Sequence, residues 1–279
     1  MPMPQAPFIS VVVTTYNRPD ALAAVVEACF AQNQDAFEII VADDGSAPGT
    51  AECISTLKRH APVALHHVWQ PHDGFRAAMA RNRGIRAASG EYVVFLDGDC
   101  VPQRDFIAQH RKLARRGYLV TGSRVLLSAR LTRRVLAEHI DLAAASTADK
   151  IAYRLRGDTN KLLPLMLKLP DIGRERRKFT YRRIKSCNLG VWRRDLDTVN
   201  GFDECFRGWG HEDSDLVVRL HNAGVQRKFG AFATEVLHLW HPAAQRDQAC
   251  ANQRIVLERA VNRTIRASAG LDGGSGRPQ

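Results

Sequence analysis

The chain has 279 residues, 45% hydrophobic and 25% charged, and its 40 Lys+Arg against 29 Asp+Glu leave a net charge of +11. That composition supplies a sizeable core for one large domain or two fused halves, and it excludes wholesale disorder and low complexity. No apolar run approaches the roughly 20 residues that span a bilayer, and the start MPMPQAPF lacks a leader pattern; six scattered cysteines without a C-x-x-C pair read as free thiols, so a cytoplasmic protein is expected.

The first element, Phe8 to Thr14 (FISVVVT), is too apolar for a solvent-facing strand and too short for a helix, which predicts a buried parallel strand. The turn-like Tyr16-Asn17-Arg18-Pro19 follows, and Pro19 with Asp20 opens a helix to about Phe30. FEIIVADDGS repeats the design as a strand ending in carboxylates and glycine. Residues 51–60 read as helix, 63–69 as strand and 75–88 as helix, with Gly90 as a stop before the strand EYVVFLDGD. The resulting βαβαβαβ order predicts a mainly parallel sheet whose ligand crevice lies beyond the carboxyl ends of its strands. Tyr16, Asp43, Asp44, Asp97 and Asp99 fall there.

Beyond about residue 125 the rhythm breaks. Residues 130–150 read as one helix, and 161–185 as an irregular insertion in which leucines interrupted by Pro164 and Pro170 precede a basic run, seven basic residues against one acid from Arg174 to Lys185. Order returns from Ser186 to His241: GWGHEDSDLVVRLHNAG is a turn feeding a helix stopped by Gly224, AFATEVLHLW is strand-like, and a last helix runs to about Ser268. This gives four sections: a nucleotide-binding half (1–125), a helical and basic insertion (126–185), an acceptor half (186–268) and a disordered tail (269–279).

The acids carry the chemistry. Asp97 and Asp99, two apart in extended chain, point to one side, and Gly98 between them allows close backbone approach. Two converging hard oxygens suit Mg²⁺ or Mn²⁺ shared with a diphosphate; a solvated turn is the commoner reading of an isolated D-x-D, and the strand end favours the metal. Asp43 and Asp44 end a second strand, where a carboxylate can accept from a base N–H or a ribose hydroxyl. Arg76 could neutralise a diphosphate, or be a surface helix arginine. Gly208 and Gly210 let the chain turn around Trp209, and Glu212, Asp213 and Asp215 open a helix, where the macrodipole favours negative charge and should keep a carboxylate ionised. A carboxylate beside an indole platform can take a proton from a sugar hydroxyl. His238 and His241 are candidates for a third metal ligand, but on a strand their spacing keeps them from sharing one ion.

Taken together, TTYNR, ADDGS, FLDGDC and GFDECFRGWGHEDSDLVVRL resemble family 2 glycosyltransferases of the GT-A fold, with a second half similar to galactosyltransferases and bacterial chondroitin-type polymerases. The resemblance covers about residues 8–125 and 186–242 and implies an α/β nucleotide-diphospho-sugar transferase fold. It further implies inverting transfer from a UDP-sugar, with a divalent metal on the donor diphosphate. On this sequence Thr14 and Tyr16 would line the nucleoside pocket, Asp44 would meet the base with Asp43 beside it, and Arg76 would approach the nucleotide. Asp97 and Asp99 would serve ribose and metal, His238 would be the third ligand, Asp213 the catalytic base, Glu212 would orient the acceptor and Trp209 shape the sugar pocket. The acceptor would be a bacterial surface glycan or lipid-linked molecule such as lipopolysaccharide core. Processive polymerisation is not expected of one transferase module. Residues 161–185 would dock on an anionic membrane or fold over the donor pocket. A nucleotidyltransferase would need a glycine-rich phosphate loop, which TTYNRPD is not, and acidic strand ends argue against nucleic acid as partner despite the basic charge.

Overall fold

The computed structural model describes residues 6–34, 36–175, 179–181, 184–242 and 248–274. Strand β1 (Ile9–Thr15) is followed by α1 (Pro19–Phe30), β2 (Phe37–Asp43), α2 (Pro48–Lys58), β3 (Leu65–Trp69), α3 (Ala77–Ala87) and β4 (Tyr92–Asp97). Pro19 and Pro48 stand in the first turns of α1 and α2, where a fixed φ and a missing N–H cost nothing. The first half therefore matches the sequence reading within two or three residues per boundary.

The chain continues through β5 (Cys100–Pro102), α4 (Phe106–Leu113), β6 (Tyr118–Thr121), β7 (Arg124–Leu126), α5 (Ala129–Glu138), α6 (Thr147–Leu155) and α7 (Leu163–Met166). It ends with β8 (Asn188–Trp192), α8 (Arg193–Val199), α9 (Glu212–Asn222), β9 (Gln226–Phe229), β10 (Val236–His238) and α10 (Ala249–Val261). The main sheet has the order β3-β2-β1-β4-β8-β6-β9, parallel except for β8, which runs antiparallel to both β4 and β6. A small sheet, β5-β10-β7, sets His238 opposite Cys100 and Leu126.

Side chains of β1 alternate between two cores, as strand pleating requires. Ile9, Val11 and Val13 face α1 and α2, whereas Val12 joins Ile40, Ile85, Phe95 and Leu216 under α3 and α9. Both faces being covered, β1 has no polar alternation, which is why FISVVVT reads as uniformly apolar.

Four readings change. The single helix at 130–150 is broken: α5 ends at His139 in a left-handed conformation (φ 50°), Asp141 caps a 3-10 turn, and Ser146 with Asp149 forms a reciprocal capping box that starts α6. The strand expected at 231–240 shrinks to β10, because Phe232 has φ 59° and the Thr234 N–H turns back to the Gly230 carbonyl. The last helix stops before Arg263, which takes φ 51°. Of the expected tail, residues 275–279 lie outside the described residues, but Leu271–Gly274 form a 3-10 turn, with Arg86 donating to the Gly270 carbonyl and the Asp272 N–H to Asn200 Oδ1. In the insertion, Pro164 and Leu165 are buried, while Arg176, Arg177, Lys178, Arg182 and Arg183 of the basic run lie outside the described residues.

Helices α9 and α10 are held by an ion network. Arg259 donates to Asp203 Oδ2 (2.7 Å) and Asp215 Oδ1 (2.8 Å), and Arg219 to Asp215 Oδ2 (2.8 Å), with both carboxylates fully buried. Arg259→Leu leaves buried charge uncompensated and is expected to cost about 3–5 kcal/mol, read as a lowered urea midpoint.

Candidate functional site

The carboxyl ends of β1, β2 and β4 open into a cavity of about 440 Å³ whose far wall is made by β7, Trp209 and the segment after β10. Two larger cavities, about 650 and 900 Å³, lie against α1, α2 and α5 and beside the ends of β6 and β9. The smaller one is where the acids, imidazoles and aromatic rings converge: it is lined by Thr14, Tyr16, Asp44, Arg81, Asp97, Asp99, Trp209, His238, Trp240 and His241.

On the β2 side, Asp44 accepts from Gln70 Nε2 (2.6 Å) and from the Arg76 backbone N–H (2.8 Å), and its burial raises its carboxyl above the usual range. Tyr16 stacks on His72 at 4.7 Å, offering a flat, half-exposed ring at the cavity edge. Gly45 joins the two features: it has φ +87°, and a Cβ there would lie 2.5 Å from the His72 backbone nitrogen. Gly45→Ala is expected to cost about 1–2 kcal/mol from left-handed backbone alone. The clash adds to this, and a melting-temperature drop of at least about 4 °C should accompany it.

Asp43 does not line this cavity. Its carboxylate turns inward to accept from the Ser46 N–H (2.8 Å) and pair with His67 Nε2 (3.1 Å); these contacts outweigh burial and hold it below the usual range, so Asp43 fixes the Asp44-Gly45-Ser46 turn. Arg76 also differs from expectation. Its guanidinium pairs with Asp73 (2.8 Å) and reaches the Glu204 carbonyl (3.4 Å), and only its backbone N–H serves Asp44.

Three arginines line the cavity, Arg18, Arg81 and Arg124, none of them singled out by the sequence reading, and the buried one is Arg81. It donates to Asp97 Oδ1 and Glu212 Oε1, both at 3.1 Å, and is 3% exposed. The signal was present: Arg81 falls in register with Ala77, Ala78 and Ile85 on the buried stripe of α3, where a charge must be paired.

Gly98 donates its N–H to the Thr14 carbonyl (2.7 Å), and a Cβ there would lie 3.0 Å from that oxygen, so the two carboxylates are carried by a backbone pressed against β1. Asp99 is pushed up to about 6 by burial and by the nearby Asp97 charge, against His241. His238 is pushed down to about 3 by burial and by Arg124, so its ring is neutral and keeps a lone pair. His238 Nε2 lies 3.6 Å from Asp99 Oδ1 and His241 Nε2 lies 3.3 Å from Asp99 Oδ2. The strand ends at His238, so the chain is free to turn and return His241 to the same carboxylate, against the expectation from strand spacing. Cys100, which follows Asp99, brings its Sγ to 3.5 Å from Asp99 Oδ1. Asp99, Cys100 and His238 offer donor atoms within 4.8 Å of one another, although burial raises the thiol well above its usual range and favours its protonated form. Carboxylate oxygens suit Mg²⁺ or Mn²⁺, and a neutral imidazole beside them fits Mn²⁺ better than Mg²⁺.

Asp213 sits at the start of α9, accepting from the Ser214 N–H (2.7 Å) and the Ser186 N–H (3.3 Å). The helix dipole does not keep it ionised as expected: burial, with the adjacent Glu212, pushes it up to about 7 against Arg81. It lies outside the cavity wall, on the side where Arg81 holds Glu212. Gly208 (φ 71°) and Gly210 (φ 111°) turn the chain so that Trp209 lines the cavity, and half-exposed Trp240 lines it too.

A mainly parallel sheet with carboxylates at the ends of β2 and β4, an antiparallel strand set between β4 and β6, and a second small sheet define the GT-A class of α/β fold. The chain belongs to glycosyl transferase family 2: residues 10–185 match that family's model, and residues 172–242 match the N-terminal domain of galactosyltransferase. The validoxylamine A glucosyltransferase of Streptomyces hygroscopicus subsp. limoneus is 31% identical over 240 residues, 80% of this chain and 51% of that protein. The chondroitin synthase of Escherichia coli is 26% identical over 77% of this chain and 32% of its own length, so the chain spans about half or less of these relatives. Among solved structures, the mannosyltransferase PcManGT from Pyrobaculum calidifontis, in complex with GDP-Man and Mn²⁺, shares the fold with a TM-score of 0.58 at 19% identity, covering 94% of this chain and 64% of that one. S. aureus TarS in complex with UDP-GlcNAc does so with a TM-score of 0.59 at 14% identity, covering 95% and 68%.

Proposed function

We propose that this chain transfers a sugar from a nucleoside-diphosphate sugar, a UDP-sugar in the first instance, to a hydroxyl of a glycan or lipid-linked acceptor. The transfer inverts the anomeric centre, and the setting is bacterial envelope glycan assembly such as lipopolysaccharide core, on the cytoplasmic face. The observation that carries this reading is that Asp97, Asp99, His238 and His241 line the same cavity as Asp44 and Tyr16, with both imidazoles within 3.6 Å of the Asp99 carboxylate. The nucleotide sugars bound by PcManGT and TarS support the donor class.

Asp44 accepts from the base or ribose, and Tyr16 on His72 offers a stacking face. Asp97, Asp99 and His238, with His241 beside them, would hold the divalent ion, which when bound neutralises negative charge on the departing diphosphate. Arg81 fixes Asp97 and Glu212 at set positions, and Glu212 orients the acceptor. Trp209 shapes the sugar pocket. Asp213, poised near neutrality, takes the proton of the attacking hydroxyl, and attack from the face opposite the nucleotide inverts the anomeric carbon without an enzyme-bound sugar.

The test is a thermal-shift panel of nucleotides and nucleotide sugars with and without Mn²⁺, since a ligand that binds only the folded state raises its apparent stability. Stabilisation by UDP or one UDP-sugar, dependent on Mn²⁺, is the expected result. If no nucleotide shifts the protein even with metal, the donor site is misassigned.

A further inference from the structure

Helix α6 buries none of its residues fully and packs against the core through the partly buried Tyr153. Its apolar positions Ala148, Ile151, Ala152 and Leu155 nevertheless recur at the spacing of a single stripe, and Ile151 and Leu155 are 38% and 82% exposed. A helix this short gains little from propensity alone and ordinarily forms by burying such a stripe. The apolar exposure continues beyond it through Leu163 (59%), Leu167 (51%), Leu169 (51%) and Ile172 (82%).

The charge of the same stretch is one-sided. Arg154, Arg156 and Lys161 are exposed, while two of its acids are paired with cations, Asp158 with Arg130 (2.9 Å) and Asp171 with Lys228 (2.6 Å), which leaves Asp149 of the capping box as an exposed acid among these cations. A second copy of the chain docking here about a two-fold axis would bring these cations against their own equivalents. An interface of apolar side chains flanked by cations matches the headgroup boundary of a bilayer carrying negative lipid, where leucine and isoleucine enter the acyl margin and arginine and lysine remain at the phosphates.

We propose that α6 and the exposed side chains from Leu163 to Ile172 form a docking face for an anionic bilayer surface. This moves the face assigned from sequence toward the N-terminus, since Pro164 and Leu165 of that segment are buried in the protein. The face is strapped to the cavity: the Leu126 N–H donates to Asn160 Oδ1 (2.8 Å), the Asn160 N–H donates to the Leu126 carbonyl (3.2 Å), and Leu126 lines the cavity wall. Docking would therefore hold the transfer cavity beside the membrane, which deepens the reading of a lipid-linked acceptor given above and rests on it for its purpose.

The experiment is flotation of the full chain with vesicles of phosphatidylcholine alone or with about one third phosphatidylglycerol, at low and high salt, for wild type and for Leu155→Asp/Ile172→Asp. Wild type should float with the anionic vesicles only, less at high salt, and the double variant should lose at least tenfold in partition with unchanged circular dichroism and melting temperature. Arg154→Glu/Arg156→Glu should lose binding as well. Failure of wild type to float, flotation equal in the variants, or a dimer in sedimentation that the double variant dissociates would each overturn the proposal. Flotation needs neither donor nor transfer, so its failure beside intact Mn²⁺-dependent nucleotide binding would leave the transferase reading standing.

Discussion

Asp213→Asn should lower kcat by about 10²–10⁴-fold while leaving donor-induced thermal stabilisation unchanged, because it removes the proton acceptor and nothing that contacts the nucleotide. The pH profile gives the sharper test. With the carboxyl pushed up to about 7, the basic form predominates above that pH and is lost as pH falls through it. Wild-type kcat/KM should therefore fall tenfold per unit on the acid side of about 7, and the residual rate of the asparagine variant should lack that limb. Since the adjacent Glu212 charge helps to raise the Asp213 carboxyl, Glu212→Gln should shift the limb to lower pH without removing it. A glutamine variant that abolishes the limb, with Asp213→Asn near full activity, would assign the base to Glu212 instead.

Asp99→Asn is expected to weaken Mn²⁺ binding at least 100-fold, measured by the electron paramagnetic resonance signal of free Mn²⁺, and to lower kcat/KM by about 10³-fold. The isosteric amide keeps the side-chain volume and removes one charge from a carboxylate flanked by two imidazoles. Loss of several kcal/mol of charge stabilisation corresponds to that factor. His241→Ala tests the arrangement around Asp99. If both imidazoles serve the ion, its effect on Mn²⁺ affinity should approach that of His238→Ala; with no effect, His238 alone completes the set.

The parallel half was legible because its code is local. β1, β2 and β4 are largely apolar runs, β2 and β4 ending in Asp43 and Asp97, and proline stands at the start of α1 and α2. What escaped was set by distant partners. β8 (NLGVW) contains asparagine and glycine, and β9 (QRKF) is polar, yet both are paired through backbone against β6. Arg81 looked like any arginine in a basic helix, and only the buried stripe distinguishes it. Asp43 and Asp44 are indistinguishable as a pair of letters; the pleat turns one toward His67 and leaves the other at the cavity. The proton affinity of Asp213 follows from its burial, which the macrodipole argument did not include.

The antiparallel strand at the centre of the sheet has a consequence for how the chain is made. β4 finds β1 early, but its other edge, YVVFLD, waits for β8, which begins at Asn188. At a synthesis rate of about 5–20 residues per second, the roughly 90 intervening residues keep that apolar edge unpaired for about 5–20 s. An open edge of this kind is a template for pairing with a neighbouring nascent chain. Fragments that end between α4 and β8 should accordingly be recovered as aggregates, and soluble yield should rise when translation is fast relative to encounter between chains or when a holdase occupies the edge.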